Sequence, residues 1–279
     1  MPDDYLHGHV EAVLRSHRWR TAENSSAHLL GRLRPTDRLL DVGCGPGTIT
    51  IDLARRLPQG AVVGIDRSED VVDEATRSAR ADGTANVEFR VADLMALPFD
   101  DDSFDVVHAH QVLQHLTDPV GALREMARVT RPGGIVAVRD SDYAGMTWAP
   151  ESRGMDRWSE RYRQVARSLG AEPDAGRHLL RWCLEAGLTD IEPGASVWCF
   201  AGSEDRSWWS GLWIDRIRTA PLVDRFRSVG VGDDELASMV EGWSAWADDP
   251  AGWFVVLHGE AMGVVAPSGP GGASPPAWE

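Results

Sequence analysis

The densest chemistry in the chain lies in the run LLDVGCGPGTIT. Gly43, Cys44, Gly45, Pro46 and Gly47 share one turn, and a carboxylate, Asp41, stands just ahead of it. Closely spaced glycines let a backbone turn tightly and approach a ligand. A helix after such a turn offers that ligand unpaired backbone N–H groups. A second carboxylate, Asp66, ends the next apolar run, 23 residues beyond Gly43. There it can accept both hydroxyls of a ribose. The dinucleotide fingerprint G-x-G-x-x-G fails in both registers, because Thr48 and Thr50 stand where it needs glycine. Asp41 would sit poorly beside a pyrophosphate and well beside an ammonium or sulfonium. The ligand expected is therefore ribose-bearing and cationic, not a nicotinamide dinucleotide. Cys44 reads as a small buried loop residue rather than a nucleophile.

The elements around this turn must hold it. Short apolar runs predict strands at 38–42, 61–66, 87–93, 104–110 and 135–140. Helical patterns separate most of them: TITIDLARRL, SEDVVDEATRSARADG with Ser68 as its cap, and PVGALREMARVTRPGG closed at Pro132–Gly134. The interval LMALPFDDDS has room for one turn only. The strands show little alternation, as expected when both faces are covered, so this half reads as a doubly wound α/β sheet. Two helical pieces, HVEAVLRSH and AENSSAHLLGRL, precede it. Beyond it, residues 148–178 read as helical with breaks and RHLLRWCLEAGL as an amphipathic helix. A strand is expected at 195–201, helical stretches at 204–228 and 233–247, and a last strand at 253–266 with a bulge or break at Gly259. Eleven of the twelve tryptophans lie at or beyond residue 148. They serve either as the core of a small helical cap or as walls of an aromatic pocket.

LLDVGCGPGTIT, GIDRS, VADLMALPFDDDSFDVV, QVLQHLTDP and REMARVTRPGGIVAV together resemble class I S-adenosylmethionine-dependent methyltransferases. Within them they are similar to the ubiquinone/menaquinone C-methyltransferase type and its small-molecule relatives. The resemblance runs continuously over about residues 36–140 and more loosely over 5–20 and HLLRWCLEAGLTDIE. The ordered set of five motifs is specific where any one alone is not. It implies a mostly parallel, seven-stranded, Rossmann-like sheet. N-terminal helices (1–34) would close the cofactor site of a core at 35–147. Insertions after strand 5 and between strands 6 and 7 (148–178 and 203–250) would form a cap. Residues 179–202 and 251–266 would complete the core, and a disordered tail would occupy 267–279.

The resemblance also implies jobs. The backbone at Gly43, Cys44 and Gly45 would pass under the methionine part of S-adenosylmethionine, with Asp41 nearby. Asp66 would hold the ribose hydroxyls, and Arg67 would lie against the adenine. Asp93 would accept from the adenine amino group, flanked by Ala92 and Leu94. His110 and Gln111 would border the sulfonium and its carboxylate end. Tyr5, Arg20 and Thr21 would close the site. His115 and His110 are the candidate catalytic groups, and no dyad with clear spacing accompanies them. Acceptor contacts are expected from the inserted segments, at Tyr143, Trp148, Trp158, Tyr162, Trp209 and Trp213. Trp208 and Trp209 are adjacent on a helix, so at most one faces a given pocket.

Charge and composition narrow the acceptor. With 43 acidic against 28 basic residues, net charge is -15, which disfavours a phosphate backbone as partner. No N-P-P-Y target-base motif and no metal-ligand cluster appears, so a small, fairly apolar organic acceptor is expected, and no metal. Three cysteines, no signal-like N-terminus and no run of 18 apolar residues suit a cytoplasmic protein off the membrane. Whether copies of the chain associate is left open. The competing reading keeps the fold and the bound cofactor but uses them in a non-methylating cyclase or rearrangement catalyst.

Overall fold

A computed structural model describes residues 11–267. Its sheet is built outward from β1 (Arg38–Val42), whose last four residues are buried. Successive residues of this strand face opposite ways. Leu39 joins one apolar cluster with Leu53, Val62, Val106 and Ala137. Leu40 joins another with Val63, Val107, Leu123 and Val136 on the other face. Burial on both faces is why the strand sequence does not alternate. β2 (Ala61–Asp66) and β4 (Phe104–His110) flank β1, both parallel to it. β3 (Val87–Val91) lies beyond β2, and β5 (Thr130–Ser141) lies beyond β4. Strand order therefore reverses between β1 and β4, and the crevice outside their carboxyl ends is where such sheets bind ligands. The glycine-rich turn leaves β1 at that point and enters α4 (Thr48–Arg56).

The antiparallel edge departs from expectation. Eight strands are present, not seven: β7 (Thr189–Phe200) and β8 (Trp253–Val264) are joined by a three-residue strand, β6 (Thr147–Ala149). β7 pairs with one side of β8 along its length. On the other side, β5 pairs with residues 258–264 and β6 with residues 253–255. The extra strand thus continues the track that β5 leaves. β5 itself starts earlier than expected. The helix α6 (Pro119–Val129) stops where the Thr130 hydroxyl bonds the Met126 carbonyl, and Gly133 and Gly134 then pair with Val265. β8 runs through Gly259 without a break, in register with Asp140 on one side and Ala195 on the other. The glycine is required because the turn Ala175–His178 crosses the strand there. A Cβ on Gly259 would lie 1.9 Å from the Gly176 carbonyl oxygen.

Three short helices precede the sheet: α1 (Glu11–Arg18), α2 (Ala22–Ser25) and α3 (Ala27–Leu30). α5 (Glu69–Asp82) links β2 to β3, and α8 (Leu179–Glu185) leads into β7. The cap is formed by α7 (Arg153–Ser168), α9 (Ser203–Arg218), α10 (Leu222–Ser228) and α11 (Asp233–Asp248). The stretch 204–228 is two helices because Pro221 stands between them, and proline has no N–H to continue the first. Trp158, Trp213, Trp243 and Trp246 are almost fully buried in the cap and pack with Phe254 of β8. The chain beyond residue 267, expected to be a disordered tail, lies outside the described residues.

Replacing Gly259 by Ala forces the turn at Gly176 off β8. Such overpacking costs about 1–3 kcal/mol, so the urea midpoint should fall by the corresponding amount. An unchanged midpoint would contradict this contact.

Candidate active site

The turn after β1 holds a conformation that side chains resist. Gly43, Gly45 and Gly47 have φ of 66°, 55° and 85°. A Cβ on Gly43 would sit 2.5 Å from Val112 Cγ2. Beneath the turn, Asp41 is buried, and both carboxylate oxygens are held. Thr50 Oγ1 donates to Oδ2 at 2.5 Å, and His108 Nδ1 meets Oδ1 at 2.7 Å. Ser26 Oγ lies 2.9 Å from His108 Nε2. Asp41 therefore braces the turn through two protein partners. Asp66 is half-buried and accepts from the backbone N–H of Gly45 at 3.2 Å and of Ser68 at 3.1 Å. Asp93 is exposed, and its Oδ1 accepts from Met95 N at 2.9 Å at the start of the turn Leu94–Ala96. Arg67, also exposed, places Nε 3.9 Å from Asp93 Oδ2.

These residues line a cavity of about 360 Å³ with two kinds of wall. One comprises the glycine turn, Asp41, Asp66, Arg67 and the segment Ala92–Leu94. The other comprises Tyr143, Met146, Trp198, Trp209 and Trp213. His110, Gln111 and His115 lie on the cavity as well, and Ser16, His17 and Arg20 reach it from the N-terminal helices. Gln111 has φ of 55°, a sparsely populated conformation for a residue with a side chain. Its side chain explains the persistence of that strain. Nε2 is 2.8 Å from both Ser141 Oγ and His258 Nε2, and Oε1 accepts from Arg20 Nη2 at 2.6 Å.

Two histidines that line the cavity, His110 and His115, are neutral near pH 7. Burial drives the His110 pKa well below the usual imidazole value, and the guanidiniums of Arg139 and Arg20 drive it further. Arg139 Nη1, which can only donate, is 3.5 Å from His110 Nδ1. The ring proton is then on Nε2, a buried donor with no partner among the described residues. Burial and Arg20 push His115 down to about 3. Groups that hold a proton so weakly are poor general bases near neutral pH. Burial raises the Cys44 thiol well above its usual value, and Asp66 and Asp41 add to that, so it is no nucleophile. Asp140, pushed up to about 7 by burial, accepts from Gln114 N behind the turn Leu113–His115 and does not line the cavity.

Four expected contacts are not brought to the cavity. Thr21 instead caps α2, accepting from Asn24 N at 3.2 Å. Trp158 packs edge-on against Trp213 and Trp243, with centroids 4.5 and 4.8 Å away. Tyr162 lies behind Tyr143, stacked at 4.3 Å. Trp148 stacks on Phe254 at 5.7 Å. Trp158 and Tyr162 belong to the cap core because α7 faces inward there, and half-buried Trp148, on β6, packs against that core. Tyr5 lies outside the described residues. Of the adjacent pair, Trp209 lines the cavity and Trp208 packs on Trp19 and Phe200. Sequence reading missed Trp198, Arg216 and Met146. Arg216 had a signal, since it follows Trp213 by three residues on one helix and so shares its face.

A sequence profile of the methyltransferase domain matches residues 33–187. The chain belongs to the methyltransferase-domain family. It is 37% identical over 267 residues to an uncharacterized methyltransferase of Schizosaccharomyces pombe, covering 92% of this chain and 95% of that one. It is 39% identical over 158 residues to the 27-O-demethylrifamycin SV methyltransferase of Amycolatopsis mediterranei, covering 54% of this chain and 56% of that one. Among solved structures, the [4+2]-cyclase SpnF superposes with a TM-score of 0.53 at 25% identity, over 92% of this chain and 81% of that one. The enzyme is an S-adenosylmethionine-dependent methyltransferase. Its residues fit that cofactor. The backbone at Gly43–Pro46, the carboxylates of Asp66 and Asp93, and the His110 ring, whose Nε2 has no partner among the described residues, all meet the same cavity. No helix of the described residues is long and apolar enough to cross a membrane.

The neutral histidines predict a pH dependence of stability. His28 and His115 are both pushed to about 3, and His110 and His258 are also lowered, by burial first in each case. Below about 6.5 the unfolded chain protonates these rings and the folded chain does not, so stability present above 6.5 is lost as pH falls. Asp140, with its raised pKa, opposes this with one group against four. The urea midpoint should be lower at pH 5 than at pH 7.5. Equal midpoints would count against neutral burial.

Proposed function

We propose that this enzyme transfers a methyl group from S-adenosylmethionine to a small, fairly apolar organic acceptor held against Tyr143, Trp198, Trp209 and Trp213. The observation that carries this reading is the single cavity shared by the glycine turn and those four rings. S-adenosylmethionine supplies an electrophilic methyl group. The chain supplies alignment and exclusion of water, the main demands of an in-line displacement. Gly43, Cys44 and Gly45 offer backbone to the methionine part, with Asp41 fixing their position. Asp66 takes the ribose hydroxyls. Arg67 and Asp93, between Ala92 and Leu94, take the adenine. His110 and Gln111 border the reacting centre, and Arg20 closes it. Neither His110 nor His115 removes a proton.

The acidic net charge favours a small molecule over nucleic acid as acceptor. Three free cysteines suit the reducing cytoplasm. The likeness to the rifamycin enzyme supports a place in secondary metabolism. The likeness to SpnF supports a second reading, in which the bound cofactor is retained and the reaction is a cyclisation. Formation of S-adenosylhomocysteine during turnover separates the two, since only methyl transfer yields it. Incubation with methyl-labelled cofactor and a panel of apolar acceptors should give labelled product and S-adenosylhomocysteine in equal amounts. Product without S-adenosylhomocysteine would establish the cyclase reading instead.

Asp66→Ala removes charge-assisted hydrogen bonds worth about 1.5–3 kcal/mol, so S-adenosylmethionine should bind roughly 10- to 150-fold more weakly by calorimetry. Unaltered affinity would remove Asp66 from the ribose.

A further inference from the structure

A strained residue and a buried acid meet behind one side of the cavity. Gln111 follows β4 in a left-handed conformation, φ 55°, and Val112 returns to the right-handed region at φ -115° and ψ -50°. Such an alternation of hand points successive backbone N–H groups into one concavity, a nest that suits an anion. The chain fills this nest itself. Asp140, at the end of β5, is fully buried, and its Oδ1 accepts from Gln114 N at 3.2 Å. The N–H groups of Leu113 and Val112 bond the same carboxylate. Its Oδ2 has no partner among the described residues, so part of its lost hydration is not replaced. Asp140 does not line the cavity, but Val112, Gln114 and His115 do. Val112 also stands against the glycine turn, where its Cγ2 leaves no room for a Cβ on Gly43. Gln114 Nε2 lies 3.1 Å from His115 Nε2. One carboxylate therefore holds, from behind, a segment that touches both the cofactor loop and the rest of the cavity.

Burial pushes the Asp140 carboxyl up to about 7, against the pull of those N–H groups and of Arg139. Its charge is thus gained and lost near neutral pH. Charged, it accepts the N–H groups strongly; protonated, it accepts them weakly and one of its oxygens becomes a donor. The charged and titratable groups on the elements packed against it are Arg139 and Asp142 on β5, His110 on β4, His258 and Glu260 on β8, His115 on the turn, and Arg177 and His178 on the crossing turn Ala175–His178. His110, His115 and His258 are held neutral, and Arg177 holds Asp142 through two hydrogen bonds of 2.6 Å. α6 and α8 carry their charges at the surface, where Arg128 meets Glu125, Arg181 meets Glu185, and Arg124 meets the Glu185 carbonyl.

Building on the methyltransferase reading, we propose that Asp140 is a positioning residue: its carboxylate is the internal anion of the nest at residues 112–114, and its charge sets the cavity wall made by Val112, Gln114 and His115. When charged, it draws the turn tight and Val112 onto the glycine turn. When protonated, it releases the turn, and the cofactor binds more weakly. Buried acids with displaced ionisation and residues with strained backbones both gather at functional sites. Here Asp140 and Gln111 are the two halves of one brace.

The test uses the full chain, isotopically labelled for NMR, with S-adenosylhomocysteine as probe. Across a pH series of the free protein, the backbone amide protons of Val112, Leu113 and Gln114 should move downfield together as pH rises, with one midpoint near 7. Saturation with the probe should lower that midpoint by about one unit. By linkage the probe then binds about fivefold more tightly at pH 8 than at pH 6 by calorimetry. Asp140→Asn keeps the shape and an accepting oxygen but cannot ionise, so the common titration and the pH dependence of affinity should both vanish. Amides that do not titrate, a titration that persists in the Asn variant, or an affinity whose pH dependence is the same in both proteins would overturn the proposal. If Asp140→Asn does not fold, the wild-type midpoints with and without probe decide alone, and equal midpoints overturn it. Failure of the wild type to bind the probe at any pH sinks the methyltransferase reading itself. Binding without a shifted midpoint sinks only the role of Asp140.

Discussion

A carboxylate buried at the end of β1 sets the first constraint. Asp41 has lost its water, and a polar group in that position must find protein partners or destabilise the fold. Its two oxygens take Thr50 from the first turn of α4 and His108 from the neighbouring strand β4. His108 in turn meets Ser26, ahead of α3. One buried group therefore joins β1, β4, α4 and the N-terminal helices. The glycine turn lies between these anchored pieces, so its left-handed conformations are held from both ends. A turn fixed in this way presents the same backbone surface before and after a ligand arrives, which is what preorganisation requires.

The same shortage of water sorts the charges. Arg139 is almost fully buried, and burial lowers its pKa to about 10, yet it remains a cation at neutral pH. Its Nε donates to Glu260 at 3.1 Å and Ser196 at 3.0 Å. With that positive charge fixed on β5 beside β7 and β8, nearby imidazoles do not acquire a second one. His110 and His258 feel Arg139, after burial, as a reason to stay neutral, and His28 feels it after burial and His108. The neutrality of the site is thus a collective property of the strand ends and not of any single ring.

Sequence reading went furthest where one residue type alone meets a local requirement. The glycine turn, Asp66 at the end of β2 and Asp93 just beyond β3 are all legible in position, because strand, turn and acid follow in a fixed order. Legibility fell where a role depends on distant partners. Trp158 and Trp213 have the same chemistry, and only the packing of α7 against α9 and α11 decides that one is core and the other a wall. The first half of β7 was missed because it is largely exposed and carries no apolar run. β6 has three residues and exists only because β8 offers it an edge. Gly259 looked like an interruption, yet it marks where another backbone crosses, information held at Gly176 and not in the strand.

The place of β8 in the sheet has a consequence for how the chain comes together. It is the last strand in the described residues, yet it lies inside the sheet, between β5 and β7. Until residues 253–264 have been synthesised, β5 has no neighbour on that side, and neither β6 nor β7 has the partner with which it pairs. During translation the growing polypeptide therefore carries an open, unpaired sheet edge and an uncovered tryptophan-rich cap. Contacts of such long sequence separation close slowly. Open edges invite intermolecular pairing while they last. The interval before the C-terminal strand emerges is thus the period in which a nascent copy is most exposed to aggregation and most dependent on chaperones.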